Sequence, residues 1–167
     1  MKALVLFSGG IDSTTALALA INKYGKDRVI ALSVSYGQKH DKEIQAAIAV
    51  AEYYGVEHLF LDLRKIFTYS NCSLLKQSTE KIPEESYAKQ ISKTNGETPV
   101  STYVPFRNGL FLSSAASIAL SKDCEVIYYG AHADDSAGFA YPDCSPVFNR
   151  AMNEAIWEGS GHQLKIE

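Results

Sequence analysis

The stretch Phe7-Ser8-Gly9-Gly10-Ile11-Asp12-Ser13-Thr14-Thr15 gathers glycine, hydroxyl and carboxylate residues between an apolar run and a helical pattern. Two glycines let the chain turn sharply and bring its backbone close to a ligand. Free N–H groups at a helix start, with the helix dipole behind them, attract anions. Ser8, Ser13 and Thr14 add hydroxyl donors. The chemistry implied is the holding of phosphate. No Gly-Lys-Ser/Thr follows, which excludes a Walker A loop, and G-x-G-x-x-G is absent, which excludes a dinucleotide fingerprint. The bland alternative is a glycine turn with Asp12 and Ser13 as capping residues. Capping needs one such residue and not the whole cluster.

Other candidates carry more evenly weighed alternatives. Lys39 and Arg107 are cations able to meet phosphate or carboxylate, although single basic residues are mostly solvated surface charges. Arg107 has the better claim, because it directly precedes Asn108, which reads as a helix cap. Asp134 and Asp135 follow an apolar run and could hold a cation or accept hydrogen bonds; a turn explains them equally well. His132 and His40 could work near neutral pH or be structural. Tyr36, Tyr103 and Tyr141 could stack on a ring, but with 10 tyrosines in the chain most must be packing. Cys144 has no activating neighbour in sequence and reads as packing or lining, while Cys72 and Cys124 read as inert.

The elements that must position these residues alternate. Ala3 to Phe7 is a continuous apolar run suited to a strand covered on both faces, Val29 to Val34 reads as a second buried strand, and His58 to Leu63 and Glu125 to Tyr129 read as a third and a fourth strand. Between them lie helical patterns: Ala16, Leu17, Ala20, Ile21 and Tyr24 up to Gly25, then Ile44, Ala47, Ile48, Ala51 and Tyr54 up to Gly55. Asp41 and Glu43 fall in the first turn of the second helix, where acids suit its dipole. A helix capped by Asn108 carries Leu110, Phe111, Ser114, Ala115 and Ile118 on one side. Ser145-Pro146 opens a last helix, with Phe148, Ala151, Met152, Ala155 and Ile156 on its face and Gly159 at its stop. Leu164 to Ile166 begins a fifth strand. The expectation is an α/β fold: a doubly wound parallel sheet with helices on both faces and the strand ends Phe7, Tyr36 and Gly130 on one ligand-binding rim. Residues 64–104 are polar, contain Pro83 and Pro99, and read as a long loop or insertion with a helix near Glu84 to Lys93.

At 167 residues the chain reads as one domain, 1–167. Its net charge of −3 argues against a general polyanion-binding surface, hence against direct nucleic-acid binding. Three widely spaced cysteines make neither a disulfide framework nor a zinc knuckle and suit a reducing, cytoplasmic compartment. No run reaches transmembrane length, and the short N-terminal apolar run is no signal peptide.

Ser-Gly-Gly-x-Asp-Ser at residues 8–13 resembles the signature of the PP-loop ATP pyrophosphatases, of the adenine nucleotide alpha hydrolase-like fold. Further stretches resemble the 7-cyano-7-deazaguanine synthase family: Tyr36-Gly37-Gln38-Lys39-His40, then Ser101 to Asn108, Gly130 to Asp135, and Tyr141-Pro142-Asp143-Cys144. Phe148 and Ala151-Met152-Asn153 continue the likeness, which spans nearly the whole chain.

The resemblance implies an ATP-dependent ligase that joins 7-carboxy-7-deazaguanine and ammonia into the nitrile on the route to queuosine. It implies ATP with Mg²⁺, a homodimer, and ATP contacts from Phe7, Ser8, Gly9, Gly10, Ile11, Asp12, Ser13, Thr14, Thr15, Ala16, Leu17, Tyr36 and Lys39. Arg107, Asn108, His132, Asp134, Asp135, Tyr141 and Asp143 would meet the substrate, with Asp12, Ser13, Arg107 and Asp134 catalytic. The family also carries a cysteine-rich zinc tail; none of its ligands is present here, so the expectation is a C-terminally incomplete domain with no metal ligand assigned. Two rivals stay open: another PP-loop enzyme, such as one for tRNA thiolation or amidation, and a non-catalytic nucleotide-binding module.

Overall fold

A computed structural model describes residues 1–39, 42–85, 87–94 and 98–167. Strands β1 (Ala3–Leu6), β2 (Val29–Ser35), β3 (Glu57–Asp62), β4 (Val126–Tyr128) and β5 (Lys165–Ile166) form one parallel sheet in the order β3-β2-β1-β4-β5. β1 is central, and Ala3, Leu4 and Val5 are fully buried, as its unbroken apolar run requires.

Helix α1 (Ile11–Tyr24) and helix α2 (Lys42–Tyr54) cover one face, where Leu17, Ala20, Ala47 and Ala51 meet Ala3, Val5 and Ala31. A short helix α3 (Arg64–Phe67) and helix α4 (Tyr87–Thr94) follow β3. Helices α5 (Arg107–Ser121) and α6 (Pro146–Gly159) cover the other face, packing Leu112, Ala115, Ala119 and Ile156 on Leu4, Ile30, Leu32 and Ile127. Apolar layers on both sides of one sheet make the fold doubly wound. The first connection from β1 leads to β2, whereas β4 returns to the opposite side of β1. A crevice therefore opens at the strand ends between β1 and its neighbours, where such sheets take ligands.

The polar segment after β3 is partly built into the body. Phe67, Cys72, Leu75 and Val104 form a small core with Leu63, against which Tyr36, Leu110 and Phe111 pack. An isolated antiparallel bridge, Gln38 with Leu75, ties that segment to the end of β2. Leu75 and Ser73 are fully buried there.

Helix ends are capped partly as their local sequence suggests. Ser145 accepts the Phe148 N–H at 3.1 Å, and Pro146 takes the first turn of α6. Asn108 does not cap α5: the N-cap position is Phe106, in the left-handed region with φ 52° and with no side-chain cap of its own. The Asp143 carboxylate, distant in sequence, accepts the Asn108 N–H at 2.8 Å instead. Local pattern reading had no means of seeing a cap delivered from another element.

Candidate active site

A cleft of about 290 Å³ lies on the rim formed by the ends of β1, β2 and β4. Phe7, Ser8, Ser13, Tyr36, Arg107, Asn108 and Gly130 line it, so the structure brings these sequence-predicted residues together. Leu6, Leu32, Val34, Ile44 and Phe111 give it an apolar wall.

The loop after β1 turns at Gly9, where φ is +80°. Only glycine adopts this conformation without strain. A Cβ at Gly9 would also stand 2.5 Å from the Ala47 backbone nitrogen, so the loop lies directly on α2. The first helical bond of α1 runs from the Thr14 N–H to the Gly10 carbonyl at 2.9 Å. The N–H groups of Ile11, Asp12 and Ser13 thus lack an intrahelical acceptor, and the dipole of a 14-residue helix stands behind them. Ser8 and Ser13 hydroxyls are 3.2 Å apart, and Ser13 Oγ donates to the Gly10 carbonyl at 3.1 Å. The two hydroxyls hold the loop closed on itself and are placed to turn toward an anion.

Arg107 faces this loop from the start of α5. Its guanidinium lies over the Tyr36 ring at 5.4 Å and donates to Tyr36 Oη at 3.3 Å. Among the described residues, no carboxylate pairs with Arg107. A partly buried cation without a counter-ion, opposite a helix N-terminus, is an arrangement that wants an anion between them. Burial raises the Tyr36 phenol above its ordinary range, so it stays a neutral hydrogen-bonding group.

Across the rim, Asp12 and His132 form an ion pair at 3.0 Å, with both side chains more than half exposed. The hydrogen bond that the imidazole donates to the Asp12 carboxylate raises its pKa above the ordinary 6.5. Gly130 lets these two loops meet, since a Cβ there would lie 3.0 Å from Asp12 Cβ. Asp134 and Asp135 are exposed on the 3₁₀ turn Ala133–Phe139, outside the cleft wall.

The remaining expected residues lie elsewhere. Ala16 and Leu17 face the core under α1, and Leu17 is fully buried, so they support the helix from behind. Thr15 turns its hydroxyl back to the Ile11 carbonyl at 2.9 Å. Lys39 reaches the Glu80 carbonyl at 3.0 Å and does not line the cleft. Tyr141 meets Thr102 Oγ1 at 2.5 Å and borders a second cavity, while Tyr103 packs on it at 6.4 Å. Asp143 is 4 % exposed and serves α5 as described. The Cys144 thiol is pushed up to about 11, chiefly by burial and then by Asp143, and it accepts from Asn108 Nδ2 at 3.3 Å. A thiol so held is protonated and no nucleophile at neutral pH. His40 lies outside the described residues.

Pattern reading missed Ser33, Gln38, Glu43 and Tyr129 on the cleft wall. Two serines inside the apolar run of β2 were the available signal, because a buried strand rarely carries a hydroxyl without a partner. Among the described residues the buried Tyr129 hydroxyl has no hydrogen-bond partner, and burial pushes its pKa up to about 12. As for metals, Asp12 on the loop suits Mg²⁺, which takes few carboxylates plus phosphate oxygens and water. No trio of His, Cys, Asp and Glu converges among the described residues, and no zinc ligand set is assigned. No helix among them is long and apolar enough to cross a membrane.

Residues 2–167 match the family described as "Queuosine biosynthesis protein QueC". The chain is 41 % identical over 160 residues to a 7-cyano-7-deazaguanine synthase of Oceanobacillus iheyensis, covering 95 % of this chain and 66 % of that protein. It is 42 % identical over 166 residues to one of Thermoplasma volcanium, covering 98 % and 63 %. It therefore spans just under two thirds of the length of these relatives. Among solved structures, it resembles a glutamine-dependent NAD⁺ synthetase of Acinetobacter baumannii in complex with ADP. That match has a TM-score of 0.57 at 17 % identity, covering 84 % of this chain and 23 % of that one. An NH₃-dependent NAD synthetase of Campylobacter jejuni gives a TM-score of 0.52 at 15 % identity, covering 84 % and 52 %. These two likenesses bear out the fold.

Proposed function

This chain belongs to the QueC family of queuosine biosynthesis proteins, and on that footing we propose that it takes part in the ATP-dependent conversion of 7-carboxy-7-deazaguanine and ammonia to 7-cyano-7-deazaguanine. The observation that carries the reading is the Arg107 guanidinium, which no carboxylate ion-pairs among the described residues, on the wall of the same cleft as the loop that opens α1.

A carboxylate oxygen is a poor leaving group, so the acid must be activated. Its oxygen attacks the α-phosphorus of ATP and pyrophosphate leaves. Ammonia then displaces AMP and gives the amide. The amide oxygen attacks a second ATP in the same way, pyrophosphate leaves, and loss of AMP and of both amide protons leaves the nitrile. Such steps need positioning and charge stabilisation more than covalent help. In this reading Gly9, Gly10 and the N–H groups of Ile11, Asp12 and Ser13 receive the pyrophosphate, with Ser8 and Ser13 hydroxyls turning to it. Thr14 and Thr15 border that end. Arg107 neutralises the charge that builds between the carboxylate and the α-phosphate. Tyr36 stacks behind Arg107 and keeps it aimed. Asp12 would hold Mg²⁺, which when bound would supply counter-charge to the phosphates. Leu32, Val34, Ile44 and Phe111 offer an apolar bed for a heterocycle. In this reading Asn108, on the cleft wall, and the exposed His132, Asp134 and Asp135 beyond it would meet the polar edge of the second ring. A homodimer in the cytoplasm belongs to the same reading, and sedimentation of the purified chain tests the assembly.

The experiment follows the nucleotide products. Mg²⁺-ATP is incubated with and without the acid. The reading expects AMP and pyrophosphate that appear only with the acid. ADP and phosphate would mean cleavage at the γ-position and would refute it. ATP binding with no acid-dependent turnover would favour the non-catalytic module instead.

A further inference from the structure

Ser33 is a hydroxyl in the middle of the sheet, only 4 % exposed. An unbonded hydroxyl there would be costly. Its Oγ lies 2.6 Å from the Phe7 carbonyl oxygen and 2.8 Å from His58 Nε2. A carbonyl oxygen only accepts, and a hydroxyl carries one proton, so Ser33 donates to Phe7 and accepts from His58. This fixes the imidazole as its Nε2–H tautomer.

The place of this chain of bonds matters. The register of β1 on β2 ends with Leu6 opposite Leu32. Phe7 is the next residue, and its own N–H still reaches the Leu32 carbonyl at 2.9 Å. Ser33 therefore holds the Phe7 carbonyl where the chain leaves the sheet for Ser8, Gly9 and Gly10. His58 in turn is set against the Phe7 ring at 5.9 Å and the Phe60 ring at 4.3 Å. The bonds run from β3 through β2 to the root of the phosphate loop.

We propose that Ser33 and His58 are a positioning pair that sets the take-off of the phosphate loop and so governs the hold on the triphosphate end of the nucleotide. Neither touches a reacting atom; both act through Phe7. The inference rests on the nucleotide-binding reading above. It predicts selectivity: loss of His58, which does not line the cleft, weakens the grip on phosphates and leaves the hold on adenosine alone.

The test is calorimetric binding of Mg²⁺-ATP and of adenosine to the whole chain, with a thermal melt of each variant to show that it is folded. Ser33→Ala and His58→Leu are each expected to weaken ATP about tenfold, as loss of a buried hydrogen bond would; adenosine affinity is read on His58→Leu, whose residue lies off the cleft wall, and is expected unchanged there. Ser33→Thr keeps the hydroxyl, and His58→Gln keeps an N–H near the Nε2 position. Both should restore ATP affinity to within about twofold of the wild type on that account. Equal weakening toward ATP and adenosine in His58→Leu, or variants that bind ATP like the wild type, overturns the inference alone. A wild-type chain that binds neither ligand overturns the nucleotide reading and this inference with it. Should Ser33→Ala not fold, the contrast between His58→Leu and His58→Gln decides.

Discussion

Replacing Gly9 by alanine tests how the phosphate loop is seated. Two separate costs are readable at this position. With φ at +80°, a side chain would be strained whatever the space around it, by about 1–3 kcal/mol. In addition, the new Cβ would stand 2.5 Å from Ala47 N and 2.9 Å from Ala47 Cα, both backbone atoms of α2 that cannot rotate away. Relieving that contact means shifting the loop or the helix, which adds about 1–3 kcal/mol as overpacking does. Gly25 supplies the control. Its φ is +83°, yet nothing lies within 4 Å of a Cβ built there, so Gly25→Ala carries the strain without the clash. Urea unfolding of both variants should show Gly9→Ala less stable than Gly25→Ala by about 2 kcal/mol. Where the loop moves instead of the helix, the same energy appears as lost ATP affinity, at about tenfold for each 1.4 kcal/mol. The sum of the two losses is the quantity to compare. The reasoning is refuted if Gly9→Ala is as stable as Gly25→Ala and also binds ATP like the wild type.

Other expectations follow from the same geometry. Arg107→Ala should lower acid-dependent AMP formation by about 30-fold or more, as loss of a charge-assisted contact does. Arg107→Lys should fall between, because it keeps the charge and loses the planar stacking on Tyr36; equal activity of all three in a pyrophosphate-release assay would contradict the role. Tyr129→Phe removes a buried hydroxyl that has no hydrogen-bond partner among the described residues and should raise stability by about 1 kcal/mol, read as a higher urea midpoint; a lower midpoint would contradict this. His58 and His132 should titrate on opposite sides of 6.5 in an NMR pH series. Burial lowers the His58 pKa, so its contribution to stability is present above 6.5 and is lost as pH falls through the folded value. Asp12 raises that of His132, whose contribution is present below 6.5 and is lost as pH rises through the folded value. A shared midpoint would contradict both environments.

What the sequence made legible was local. Ala3 to Leu6 is an apolar run long enough only for a buried strand, and Ser8 to Ser13 follows it as a loop whose glycines and hydroxyls have one obvious use. Alternation of such runs with helical faces was enough for a parallel, doubly wound sheet. What stayed hidden came from contacts between distant segments. Asn108 has the composition of a helix cap, but Asp143 performs that task from 35 positions away. Lys39 stands next to the rim in sequence, and the Glu80 carbonyl draws it aside. Ser33 and His58 occupy ordinary strand positions, and only the pairing of β2 with β3 shows that they bond to each other. Residues 64–104 lack periodicity because their few apolar anchors, Phe67, Cys72, Leu75 and Val104, bury singly against other elements. Pattern reading finds repeated faces and not single anchors.

The most direct test of the central claim is mass spectrometry of the organic product. The purified chain is incubated with Mg²⁺-ATP, ammonium and 7-carboxy-7-deazaguanine. The account predicts 7-cyano-7-deazaguanine, with two AMP formed per nitrile. Unchanged acid, from a folded chain that binds ATP and releases no AMP in its presence, would contradict it.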